Sequence, residues 1–134
     1  MEETIKKLLK SGQTLLNTGN PKEAMTMFDK VLKIDPDQID ALIKKGNILG
    51  KLGKYDNAIL HYDRVLLQEN HNMLALLNKG LAHHYIGQYE TALECYEQVL
   101  MIKPKNVTAL YLSLIHISEP TRRTPISYAV FCLK

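Results

Sequence analysis

From Ile5 to about Tyr111 the apolar residues recur with a helical period, and that pattern itself recurs. Ala24, Phe28 and Val31 are spaced so that all three fall on one face of a helix. The same trio returns as Ala58, Tyr62 and Val65, and again as Ala92, Tyr96 and Val99. Ahead of each trio runs another helical stretch with a large apolar residue at a fixed place: Leu8, Leu42 and Leu76. Turn residues separate the stretches. Gly19, Gly53 and Gly87 suit the left-handed residue that ends a helix. Asn20-Pro21-Lys22-Glu23 offers a cap, a proline at the first helical position and a glutamate to close a capping box. Pro36 and Pro104 stop helical continuation between units, with Asn70 in the equivalent place. The predicted unit is helix, tight turn, antiparallel helix, short turn.

Three copies of this unit align without a gap, over 5–38, 39–72 and 73–106, each 34 residues long. A fourth opens at Val107. A fixed period of this size marks a stacked repeat architecture, in which each unit buries its apolar face only against its neighbours. Gly12, Gly46 and Gly80 share one column inside the first helix. A glycine there costs about 1 kcal/mol relative to alanine. Three at one phase predict a site where two helices touch too closely for a side chain.

The unit resembles the tetratricopeptide repeat, whose pattern includes W-x2-L-G-x2-Y, A-x3-F and a closing proline. The glycine, alanine and aromatic columns match in all three copies. The first Trp of that pattern is replaced by Leu8, Leu42 and Leu76, and its Leu before Gly by Ser11, Lys45 and Lys79. Its Tyr column holds Leu15, Leu49 and His83. The resemblance implies an all-α, right-handed superhelical solenoid of six to seven helices. It also implies that the first helices of the pairs line a concave, partner-binding face.

After Tyr111 the composition changes. The fourth copy should reach a glycine near residue 114, and instead the chain reads Leu112-Ser113-Leu114-Ile115-His116-Ile117-Ser118-Glu119-Pro120. The string from Leu112 to Arg122 resembles the translation of a transposase-derived sequencing adapter. Ile126 to Leu133 resembles the adapter's second fixed segment, with Arg123, Thr124 and Pro125 in the place of its variable index. The expectation is therefore a repeat array over 1–111, with a partial fourth repeat at 107–111, and a foreign tail over 112–134. Leu114 in the glycine column should splay or shift a seventh helix. Pro120 and Pro125 should keep the residues after it non-helical. An array of three complete repeats is near the minimum for stability, so marginal stability is expected.

Carried onto this chain, the groove positions are Lys6, Leu9, Lys10 and Gln13 in the first repeat, with Asn17 beyond them. Asp40, Ile43, Lys44, Asn47 and Lys51 follow in the second. Leu74, Leu77, Asn78, Leu81, His84 and Tyr85 follow in the third, and Tyr111 in the fourth. Leu9, Ile43, Leu77 and Tyr111 make an apolar stripe, while Lys6, Lys10, Lys44 and Lys51 make a basic flank. A peptide with apolar anchors and acidic residues would suit both. The same residues also read as solvated lysines and partly buried packing groups. Fragments of a carboxylate clamp can be seen in Lys44, Asn47 and Asn78, but Leu9 and Leu74 stand where such a clamp needs polar groups.

Composition narrows the function without naming it. The formal net charge is +3, and it falls to +1 once Arg122, Arg123, Lys134 and Glu119 are set aside. That leaves no basic excess to imply nucleic acid. No apolar run reaches the roughly 18 residues of a membrane span, and the N-terminus is acidic from the outset. Two cysteines, Cys95 and Cys132, make no disulfide framework, so a reduced cytoplasmic chain is expected. Adjacent His83 and His84 project about 100° apart and do not share a metal easily. His83 reads as an interior or edge residue, Cys95 as a half-buried thiol, and Asn106-Val107-Thr108 as an unused glycosylation pattern. Neither a phosphate loop nor a nucleophile elbow is present. The expectation is a non-catalytic protein-interaction module with no cofactor or metal. The alternative is the repeat portion of a larger regulator or enzyme.

Overall fold

The computed structural model describes residues 2–118. These form seven α-helices and, among the described residues, no strand: α1 (Glu2–Asn17), α2 (Pro21–Ile34), α3 (Ile39–Lys51), α4 (Tyr55–Gln68), α5 (Met73–Tyr85), α6 (Tyr89–Ile102) and α7 (Val107–Ser118). Each helix packs on the next in the chain, and α3 also meets α5. This is an all-α helical-repeat fold of three hairpins followed by one further helix. No described helix is long and apolar enough to cross a membrane.

The glycine column is where each hairpin closes. A Cβ built on Gly46 would stand 2.8 Å from Cε1 of Tyr62, closer than real side chains approach. Gly12 and Gly80 meet Phe28 and Tyr96 in the same way. The ring of the second helix thus sits directly on the backbone of the first. Ala58, Tyr62 and Val65 are buried in one cluster with Leu42 and Leu49. Ala75 of the third repeat completes that cluster, just as Ala41 and Ile48 of the second complete the cluster around Phe28. The core therefore runs through the repeat boundaries rather than stopping at them.

The boundary contacts use columns that the sequence pattern did not single out. Ala41, Ala75 and Ala109 have no exposed surface. Their backbone N–H groups donate to the side chains of Gln38, Asn72 and Asn106 at 3.0, 2.9 and 2.9 Å, which caps α3, α5 and α7 alike. Lys45 pairs with Asp29 at 2.5 Å and Lys79 with Asp63 at 2.7 Å, each linking one repeat to the previous one. These pairs explain why lysine replaces the leucine expected before the glycine.

The second helices are entered differently. Gly53 has φ +82°. It donates to the Gly50 carbonyl at 3.0 Å while Lys54 donates to Leu49 at 2.8 Å, the double bond of a Schellman turn. The capping box expected at Asn20 and Glu23 does not form. The backbone N–H of Asn20 already donates to the Leu15 carbonyl at 2.8 Å in the equivalent turn, so Glu23 has nothing to accept. The Asn20 side chain makes no cap and donates to Thr18 Oγ1 at 3.1 Å.

α7 runs across the expected boundary at Tyr111, and its first turn docks in the same place as those of α3 and α5. Ala109 is buried with Leu76 and Val99. The ring that covers each glycine of this column lies sixteen residues on, and the corresponding position for Leu114 is Val130, outside the described residues. The expected splaying at Leu114 therefore concerns residues outside those described, as do Pro120, Pro125 and Cys132.

Candidate functional site

The first helices leave a groove of about 740 Å³, lined from α1, α3 and α5 and floored by the start of α4. Seven of the expected residues meet there: Gln13, Lys44, Asn47, Lys51, Asn78, Leu81 and Tyr85. Lys44, Asn47 and Lys51 are three and four positions apart on α3, which puts all of them on one helical face. Among the described residues neither lysine makes an ion pair, in contrast to Lys45 and Lys79. No acidic side chain lines the groove. Its potential is therefore positive on the α3 wall and apolar on the α5 wall.

The remaining expected residues fall elsewhere. Ile43 is 6% exposed and belongs to the core around Tyr62, so it presents almost no surface to the groove. Its burial breaks the apolar stripe expected from Leu9 to Tyr111. Leu9 packs on the Phe28 cluster and Leu77 on the Val99 cluster, both half-buried. Lys6, Lys10 and Asp40 are exposed helix residues outside the lining, as are Leu74 (53% exposed) and Tyr111 (61%).

Leu16, Ile48, Gly50, Tyr55, Tyr62 and Ala82 line the groove without having been anticipated, while the expected His84 stands outside the lining. Tyr55, the first residue of α4, stacks on Tyr85 with ring centroids 5.4 Å apart and planes 17° off parallel. His84 meets Tyr85 and Tyr89 edge-on at 5.6 and 5.2 Å. His83 bonds through Nδ1 to Gln88 Oε1 at 2.6 Å, at the edge of the turn. Tyr62 reaches the groove from the hairpin interior and donates to Asn47 Oδ1 at 2.6 Å. Burial pushes the Tyr62 hydroxyl well above the usual phenol range, so it stays a donor. A second-helix start facing the groove could have been read from the Pro21, Tyr55, Tyr89 column. The Tyr62 bond had no sequence signal beyond the hydroxyl itself.

Among the described residues no three His, Cys, Asp or Glu side chains gather as metal ligands. Cys95 is a free thiol, buried rather than half-buried, and burial raises its pKa. That makes it a poorer nucleophile than an exposed cysteine.

Family profiles described as tetratricopeptide repeat match residues 8–38, 39–71 and 74–106. None of the curated proteins matches the chain by sequence. Among solved structures, the first TPR of Spaghetti (RPAP3) bound to HSP90 peptide SRMEEVD is similar at a TM-score of 0.81 and 20% identity, over 85% of this chain and 90% of that one. MamA protein is similar at 0.78 and 24% identity, over 85% of this chain and 62% of that one. The Thermobaculum terrenum O-GlcNAc transferase mutant is similar at 0.81 and 23% identity, over 87% of this chain but only 22% of that one.

Proposed function

The chain belongs to the tetratricopeptide repeat family, and on that premise we propose that it is a protein-interaction module whose groove holds an extended segment of a partner. One observation carries this reading. Three successive first helices present a continuous lining with donor amides, two stacked tyrosines and two lysines that make no ion pair among the described residues, where no carboxylate lines the groove either. That combination favours a peptide with acidic and apolar side chains over nucleic acid or a small metabolite. The RPAP3 domain of the same fold holds an acidic peptide, which supports the class of partner.

The module itself is non-catalytic in this reading and needs no cofactor. A cytoplasmic setting is part of it, in keeping with the free thiol of Cys95. A second reading, the repeat portion of a larger enzyme, is favoured by the transferase, in which a matching array makes up about a fifth of the chain. Residues 112–134 are taken as foreign.

The test is binding of fluorescent peptide arrays to the wild type and to Lys44→Ala and Tyr85→Ala. Acidic peptides with apolar anchors should bind, and each substitution should weaken them several-fold. Equal binding by all three proteins would remove the groove from consideration.

A further inference from the structure

The core tyrosine of the middle repeat does something its counterparts do not. Tyr62 is 3% exposed and its ring fills the hairpin over Gly46, yet its hydroxyl ends at Asn47 Oδ1 on the groove side. In the first repeat the ring is Phe28, without a hydroxyl. The column of Asn47 there holds Gln13, whose amide donates to Asn17 Oδ1 at 2.9 Å. In the third repeat that column holds Leu81, which offers Tyr96 no acceptor.

In this bond the phenol donates to the oxygen end of the Asn47 amide. With Oδ1 engaged by the phenol, the N–H2 is left for the groove, and it has no partner among the described residues. Lys44 stands one turn before it and Lys51 one turn after, roughly 10 Å apart along the helix. Three donors and no competing carboxylate therefore share this wall. Opposite stands Tyr85, 64% exposed, its ring backed by Tyr55. An aromatic side chain can pack on the Tyr55–Tyr85 pair while an acidic one reaches the α3 donors.

We propose that Tyr62 is a positioning residue for recognition: by fixing the Asn47 amide with its N–H2 toward the groove, it makes the middle repeat select a carboxylate lying beside an aromatic ring of the partner. This rests on the groove being the binding face. The partner segment is an internal one in which an aromatic residue and a glutamate or aspartate are near neighbours. Its terminal carboxylate is not required.

The experiment uses the full chain and a pair of capped fluorescent peptides, Ala-Ala-Phe-Ala-Glu-Ala-Ala and the same sequence with Gln for Glu, read by anisotropy. Wild type should prefer the Glu peptide by about tenfold, the scale of one charge-assisted hydrogen bond. Tyr62→Phe stays folded, since Phe28 fills the same place in the first repeat, but it frees the Asn47 amide to turn its oxygen toward the ligand. The Glu preference should then fall several-fold, the remainder being held by Lys44 and Lys51, and Asn47→Leu should do the same. Circular dichroism melts check that both variants remain folded. If Tyr62→Phe keeps the full preference while Lys44→Ala loses it, the positioning role is overturned and the groove reading stands. If neither peptide binds, or Lys44→Ala and Tyr85→Ala bind both as wild type does, the groove reading itself fails and this inference with it.

Discussion

Gly12, Gly46 and Gly80 each lie under a ring sixteen residues on, in contacts that a methyl group would make too short. One residue away, on the groove side, the same three helices carry Gln13, Asn47 and Leu81. The hairpin interior thus repeats while the groove does not. The reason is physical. Every hairpin must solve the same close-packing problem, so the same small and large residues return at each period. Among the described residues the groove has no packing partner, and its residues are free to differ with whatever they meet.

The comparison breaks first at its most constrained point. Gly46→Val should cost about 2–3 kcal/mol in urea unfolding, because the branched side chain enters the Tyr62 ring and the backbone behind it is helical and unyielding. That is a large share of the stability of any small domain. Gly53→Ala should cost less, about 1 kcal/mol. Its space is open, and the penalty is only the left-handed backbone at φ +82°. A value near zero for Gly46→Val would show that the hairpin is looser than the structure indicates.

Gly50 separates the two effects. It is helical, has no positive φ, and meets nothing within 4 Å. Gly50→Ala should therefore stabilise the protein by about 0.5–1 kcal/mol through helix propensity alone. His61, on α4, gives a smaller, pH-dependent term. Its folded pKa lies below its ordinary value, chiefly because burial disfavours the charged ring; Lys45 and Arg64 push the same way, against the Asn57 carbonyl and Asp29. The unfolded chain therefore takes up a proton near pH 6.5 that the native ring resists, so stability is full above that pH. It should decline as pH falls through the depressed value, and His61→Asn should flatten that part of the profile.

The same contrast explains what could be read in advance. The hairpins, their turns and the glycine contacts were legible because three copies carry the same residues and chance cannot repeat a column. The caps at Gln38, Asn72 and Asn106 repeat too, but as two residue types in a turn, a weak pattern among many polar turn residues. The Lys45–Asp29 and Lys79–Asp63 pairs cross repeat boundaries, so they became visible only when the second helix of one repeat was placed against the first of the next. In the groove, the positions carried over from the family resemblance brought Lys44, Asn47, Lys51 and Tyr85 to the lining. They also nominated Ile43, which shares α3 with the first three but belongs to the core. A carried-over position does not say how far round the helix the neighbouring repeat closes. Nor could it find the Tyr62 hydroxyl, which crosses from the repeated region into the variable one.

The smallest expected effect on stability falls on the groove itself. Lys44 makes no ion pair among the described residues and is only half-buried, so its ammonium has no native partner to lose. Lys44→Ala removes a positive charge from a wall already shared with Lys51, which relieves rather than adds repulsion, and alanine is the better helix former. The unfolding midpoint should stay within the error of measurement, about 0.5 kcal/mol either way. Lys45→Ala on the neighbouring residue is the control, since it breaks the partly buried pair with Asp29 and should cost more, up to about 1 kcal/mol. If Lys44→Ala were the more costly of the two, the groove wall would be carrying structure, and the division between a repeated interior and a free lining would not hold at the middle repeat.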